Sequence, residues 1–206
     1  AGVSAVQRPL PPRWPSDHPV HFAHVDGRER RSRGGVSRFN AQEVRAVARA
    51  VERLLGRGEG AEAGDADGEG ERLRADELGV ITPYAAQVSE LRRALPSAVE
   101  VRTVDGFQGR EKEVIIISAV RANARGELGF LVDPRRLNVA ITRARRGLLV
   151  VGHAPTLRAD PQWESFLRFV GSRWGQRAAT QAATSDDEEP AGVAPPPPGC
   201  NDYAND

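Results

Sequence analysis

Two stretches of this chain carry residue types at spacings that could do chemistry. The first is Thr103-Val104-Asp105-Gly106-Phe107-Gln108-Gly109-Arg110-Glu111-Lys112-Glu113, which runs directly into the apolar stretch Val114–Ser118. The second is Pro134-Arg135-Arg136-Leu137-Asn138-Val139-Ala140-Ile141-Thr142-Arg143-Ala144-Arg145-Arg146. In the first, Gly106 and Gly109 allow tight backbone conformations and close approach to a ligand. Glu111 can accept hydrogen bonds from sugar hydroxyls. Asp105 and Gln108 can bond to backbone, to a water near phosphates, or to a neighbouring segment. In the second, Arg136, Arg143 and Arg146 are spaced by seven and three, which on a helix puts them close to one face. A rigid helix projecting such a fork suits stabilisation of charge on a transferring phosphoryl group. A solvated basic helix is the plainer alternative.

The elements that must position these residues follow from the apolar pattern. Val20–Val25 reads as a short strand. Asn40 to Leu55 reads as a helix, with Val44, Val47, Ala48, Val51, Leu54 and Leu55 as its apolar stripe. Leu78–Thr82 is an apolar strand stopped by Pro83. Tyr84 to Leu95 is helical, with Val88, Leu91 and Leu95 on one face. Val99–Val104 is a further strand. Val114–Ile117 is a continuous apolar run, as expected of a central parallel strand buried on both faces. A helix is expected over Arg135–Arg145 and another buried strand over Leu148–Val151. A last helix carries Trp163, Phe166, Leu167, Val170 and Trp174 at helical spacing. Strands alternating with helices imply a parallel α/β sheet flanked by helices. In such a sheet ligands gather at the carboxyl ends of strands, so Thr103–Glu111 is expected on that rim. Residues 1–17 are proline-rich and irregular, and the ordered domain is expected over 18–177. Within it, the Gly, Glu, Ala and Asp of residues 56–77 read as a disordered insertion, and 178–206 as a disordered acidic, proline-rich tail.

Several signals that look chemical are set aside. His18, His21 and His24 are spaced by three, but in a strand His21 and His24 point to opposite faces, and only Asp26 stands near as a further ligand. No metal site is expected. Gly58-Glu59-Gly60-Ala61-Glu62-Ala63 matches G-x-G-x-x-A, yet it follows a helix and its glutamates would repel a pyrophosphate. There is no G-x-x-x-x-G-K-[ST] anywhere, because the only lysine, Lys112, follows Glu111. This chain has no Walker A loop.

Composition narrows the setting. The formal charge of +1 does not by itself predict a polyanionic partner. Arginine supplies nearly all the positive charge, which suits phosphate recognition and also follows from a GC-rich genome. The one cysteine, Cys200, excludes a disulfide framework, as fits a reducing compartment. No apolar run approaches the roughly 20 residues that span a bilayer. The first residues lack a signal-peptide core. Cytoplasm or nucleus is the expected location. The sequence contains no methionine, which points to a fragment or to a gene model missing its start.

T-V-D-G-F-Q-G-R-E-K-E resembles motif V of the Upf/senataxin-type superfamily 1 helicases, and R-R-L-N-V-A-I-T-R-A-R resembles their motif VI. V-I-T-P-Y-A-A-Q resembles their motif IV region. The match is close to unbroken from Leu78 to His153 and looser from His21 to Leu55. The resemblance implies the second, C-terminal RecA-like domain of such a helicase, with a P-loop NTPase fold. It implies that Arg143 is the arginine finger reaching the γ-phosphate of ATP across an interdomain cleft. Glu111 would contact the ribose, with Gly109 and Arg110 shaping that pocket. Tyr84 and Gln87 would line the cleft or brace its motifs, and Arg146 would stand behind them. Thr103, with Asp105, Gln108 and Arg136, would touch nucleic acid or couple it to ATP. Asn123 would support the core or the site. The Walker lysine and the Mg²⁺ ligands would lie on the first RecA-like domain. The implied partners are single-stranded RNA or DNA and that first domain. A monomer is expected, with no membrane partner and no activity in this chain alone. A non-catalytic nucleic-acid or protein-binding module is the competing reading, and the intact Glu111 and Arg143 weigh against it.

Overall fold

Seven strands and five helices are present among the described residues. The strands are β1 (Val20–His24), β2 (Arg30–Arg31), β3 (Arg38–Phe39), β4 (Leu78–Thr82), β5 (Glu100–Thr103), β6 (Lys112–Ser118) and β7 (Ala144–Gly152). The helices are α1 (Ala41–Leu54), α2 (Ala85–Ala94), α3 (Pro134–Ile141), α4 (Ala154–Leu157) and α5 (Pro161–Ala182). This computed structural model describes residues 9–11, 13–32, 35, 37–56 and 72–182, the last eleven of these as backbone only. The chain divides into two units, Ala1–Arg173 and Trp174–Asp206, and every strand and both chemical stretches belong to the first.

Five strands form one sheet in the order β1-β7-β6-β4-β5, and every neighbouring pair is parallel. Strands β2 and β3 make a separate antiparallel pair. Alternation along each strand sorts the core into two layers. Val114, Ile116, Val80, Leu149 and Val151 face α1 and α2, meeting Val47, Val51, Leu54, Val88 and Leu91. Ile115, Ile117, Ile81, Leu148 and Val150 face the other way, onto Phe107, Leu131, Ala140, Trp163 and Leu167. The expected α/β sheet with helices on both faces is therefore the observed one, and it is the RecA-like P-loop NTPase fold.

Several boundaries differ from expectation. Helix α3 ends at Ile141 rather than Arg145. Its last turn is closed by Thr142, whose amide and hydroxyl both bond back to the Asn138 carbonyl. Strand β7 then starts at Ala144, because pairing with β6 claims Ala144 opposite Lys112. The stretch expected to lack structure, 56–77, is ordered from Arg72 onward. Leu73 is buried in the first core layer, and a 3-10 turn at Ala75–Glu77 leads into β4. The helical backbone of α5 runs to Ala182, past the tail boundary expected at 178. The G-x-G-x-x-A stretch, the Trp174 side chain, Cys200 and the tail from 183 lie outside the described residues. No helix of the described residues is long and apolar enough to cross a membrane.

Candidate functional site

The segment from Val104 to Glu111 joins two parallel strands, so it must travel the length of the sheet. It leaves the carboxyl end of β5, where Thr103 stands opposite Thr82, and delivers Glu111 to the amino end of β6. The expectation that all of Thr103–Glu111 lies on the carboxyl rim holds for its first residues only. The Thr103 hydroxyl accepts from Gly106 N at 3.3 Å and shapes the 3-10 turn Asp105–Phe107. Phe107 is fully buried and lies across Gly79 of β4, where a Cβ would come within 2.6 Å of its ring. That contact anchors the crossover to the sheet. Gln108 is exposed. Gly109 has φ +74°, a conformation that favours glycine, and no atom lies within 4 Å of where its Cβ would be. The loop is thus open outward at this point.

At the amino rim the two chemical stretches meet. Lys112 N donates to Arg143 O at 3.0 Å, which sets Glu111 and Arg143 side by side at the starts of neighbouring strands. The Arg143 guanidinium donates from Nε to Val139 O and from Nη2 to Thr142 Oγ1, both at 3.0 Å. Glu111 accepts from Arg145 Nε at 3.0 Å. Arg110 reaches Glu100 at 2.8 Å. The Arg146 guanidinium is largely buried and donates to the Pro9 carbonyl, with Glu113 at 4.0 Å. This is a cluster of three carboxylates, Glu100, Glu111 and Glu113, and several guanidiniums beside an open glycine turn.

The single-face arrangement of Arg136, Arg143 and Arg146 does not occur, because α3 stops before Arg143. Arg136 stands in the first turns of α3, near the carboxyl rim. Its guanidinium lies 3.5 Å from Asp105 and 5.2 Å from the Phe130 ring centroid. Arg143 is at the other end of the helix, at the amino rim. Tyr84 and Gln87 also part from Glu111. They follow the carboxyl end of β4, about 20 Å away by the rise of the neighbouring seven-residue β6. Gln87 is fully buried and lines no cleft. Its amide donates to Ser118 Oγ at 2.9 Å and accepts from Asn40 N at 2.9 Å.

Gln87 belongs to a buried network at the carboxyl rim that sequence reasoning missed. Glu43 has no exposed surface. One of its oxygens accepts from Ser118 Oγ at 2.6 Å and Val120 N at 2.8 Å. Burial pushes the Glu43 carboxyl up to about 7, against the hydrogen bonds from Ser118, Val120 and Ala119. Val120 has φ +69°, an outlying conformation for a β-branched residue. Just beyond it, Glu29 accepts from Arg121 Nε at 2.7 Å, Ala122 N at 2.9 Å and Asn123 Nδ2 at 3.2 Å. Burial opposes ionisation of Glu29, but these bonds outweigh it and hold its carboxyl below the usual range. The available signal was Asn40 with Glu43 three residues on, at the start of an apolar stripe. Asn40 caps α1 by accepting from Gln42 N and Glu43 N. The histidines are used similarly. His24 Nδ1 accepts from Ala154 N and His153 Nδ1 from Thr156 N at the start of α4.

A family model described as an AAA domain matches residues 3–155, which include both rims. The chain belongs to this family, the Upf/senataxin-type superfamily 1 helicases. This helicase domain is 38% identical over 164 residues to a putative regulator of nonsense transcripts 1 from Takifugu rubripes, covering 75% of this chain and 14% of that protein. It is 40% identical over 157 residues to the helicase sen1 of Schizosaccharomyces pombe, covering 72% and 9%. An ATP-dependent helicase of Methanocaldococcus jannaschii is 39% identical over 157 residues, covering 75% and 21%. The helicase domain therefore spans about a fifth or less of the length of these relatives.

Proposed function

We propose that this chain is the C-terminal motor domain of an ATP-driven helicase or translocase, with Arg143 as its arginine finger and Glu111 as its ribose contact. The observation that carries this reading is the pairing of Glu111 and Arg143 at adjacent strand starts beside the open turn at Gly109. A nucleotide fits this rim chemically. The carboxylate offers acceptors to sugar hydroxyls, the guanidinium offers donors to phosphate, and the glycine leaves room for the ligand. Bound ATP supplies the phosphoryl group whose transfer to water drives the motor. Arg143 would exchange its bonds to Val139 O and Thr142 Oγ1 for phosphate oxygens and neutralise charge as it develops there. Arg145 fixes the Glu111 carboxylate in orientation. Mg²⁺ and the phosphate loop would be supplied by a first RecA-like domain facing this rim. Single-stranded RNA or DNA would run along the other rim, past Thr103 and Asp105.

The test is nucleic-acid-stimulated ATP hydrolysis by the longer protein that contains this chain, wild type against Arg143→Ala. Turnover should fall on the order of 10³-fold or more, as for other arginine fingers. Turnover within a few-fold of wild type would remove Arg143 from that role.

A further inference from the structure

Three large apolar side chains are strongly exposed among the described residues, and two of them share one short turn. Phe130 is 54% exposed and Val132 52%, on the 3-10 turn Gly129–Val132. Isolated exposed apolar residues are ordinary, but this pair stands on a turn that is held in place. Leu128 and Leu131 are buried on either side of Phe130, and Trp163 Nε1 donates to Leu131 O at 2.9 Å. The backbone at Gly129 presses on the site's own side chains, so closely that a Cβ there would meet Arg121 Nη1 at 2.5 Å and Tyr84 Oη at 3.0 Å. The Tyr84 ring meets Phe130 edge to face at 5.7 Å between centroids. The Arg136 guanidinium lies over the Phe130 ring at 5.2 Å and is 3.5 Å from Asp105, two residues past Thr103. A half-exposed aromatic ring is therefore packed against Tyr84, set against a cation, and placed on the rim where Thr103 stands.

We propose that Phe130 is a stacking platform for a base of the single strand, with Arg136 beside it to meet the adjoining phosphate. This rests on the reading that the chain works on a nucleic acid. The pairing of an exposed ring with a cation favours that occupant over an apolar protein surface. The turn is flanked by charges of both signs, Arg125, Arg135 and Arg136 with Glu127 and Asp133, and the Arg136 guanidinium stands between Asp105 at 3.5 Å and Asp133 at 3.9 Å. A protein docking on Phe130 and Val132 would have to bury the Arg136 guanidinium. A nucleic acid offers an aromatic face to the ring and an anion to the guanidinium together. Val132 would cover the edge of the stacked base.

The experiment measures anisotropy of labelled oligouridine and oligothymidine, with matched strands of abasic backbone, on titration with the chain at low salt. Phe130→Ala should weaken binding of the base-bearing strands by about 5- to 150-fold, the loss of one stacked base. It should leave abasic strands unaffected. Phe130→Trp should bind as wild type, and Phe130→Leu as poorly as Phe130→Ala, since leucine keeps the apolar contact without the π-face. Unfolding midpoints of Phe130→Ala and Phe130→Leu should fall only slightly, by the lost ring contacts to Tyr84 and Arg136, so that every variant is folded under the binding conditions. Phe130→Leu binding as wild type, equal loss on abasic strands, or unchanged affinity of Phe130→Ala would each overturn the platform, as would absence of binding by wild type. The motor reading is judged separately by the effect of Arg143→Ala on ATP turnover, so the two can fail independently.

Discussion

Glu43 has no exposed surface and a carboxyl raised to about 7 from 4.5. A folded-state value above the unfolded one means that the folded chain holds the proton more tightly. The associated stability is complete below about 4.5 and is lost as pH rises through about 7, up to about 3 kcal/mol in all. His21 and His153, lowered mainly by burial, tilt the curve the other way below their ordinary value. The diagnostic is therefore the difference between wild type and Glu43→Gln. Glu43→Gln should gain in unfolding midpoint relative to wild type from pH 5 to pH 8, and a constant difference would show that Glu43 does not titrate in that window. Gly109 gives a second expectation. Alanine meets no atom there, so its cost is backbone conformation alone, about 1–2 kcal/mol at φ +74°. Gly109→Asn should lose less, since asparagine tolerates that region. Equal unfolding midpoints for wild type and Gly109→Ala would contradict the conformation. That the stretches carrying Arg143, Glu111 and Gly109 come together was legible in the sequence, because motif residues keep their order whatever packs around them. Glu43, Asn40 and Glu29 were not, because a carboxylate within reach of solvent and one sealed under a strand end look alike in sequence. Only the network that seals Glu43, and the one that partly buries Glu29, distinguishes them.

At the scale of elements, the alternating strands and helices and the continuous apolar run of β6 were readable from pattern. The end of α3 was not. Arg143-Ala144-Arg145 has good helical propensity, and what overrides it is non-local, the pairing of Ala144 with Lys112 across the sheet. That override separates Arg136 from Arg143 and gives the two arginines to different rims. The start of α1 is a case where local and distant demands coincide. Asn40 caps the helix, and its amide also donates to Glu43 Oε1 and Val120 O, both at 3.3 Å. Asn40→Ala should cost at least the 0.5–2 kcal/mol typical of a lost cap, since buried partners are left unpaired as well. Asn40→Asp keeps the capping acceptor but sets a second carboxylate beside Glu43. Its deficit in chemical denaturation should be larger at pH 8 than at pH 5, and a pH-independent deficit would contradict the contact.

At the scale of the whole domain, the fold holds the two proposed sites apart on one sheet. The amino rim gathers Glu111, Arg143 and Arg145. The carboxyl rim gathers Thr103, Tyr84, Phe130 and Arg136. Strand β6 runs between them over about 20 Å. Its two ends are fixed by different partners, Arg143 O at Lys112 and the Glu43 carboxylate at Ser118. The separation makes the two proposed functions dissociable in the absence of nucleotide. Arg143→Ala should bind oligonucleotides within about two-fold of wild type when no ATP is present, because nothing on its rim reaches the strand across that span. Glu111→Ala should raise the KM for ATP more than it lowers kcat, since a ribose contact is made alike in the ground and transition states. A matching loss of oligonucleotide affinity in Arg143→Ala without ATP would mean that the rims are coupled through the sheet itself. The chain alone should hydrolyse no ATP, because without a G-x-x-x-x-G-K-[ST] loop nothing in it cradles the β- and γ-phosphates. Turnover by the isolated chain that disappears in Arg143→Ala would show that the amino rim is a complete site, and the need for a facing domain would fall with it.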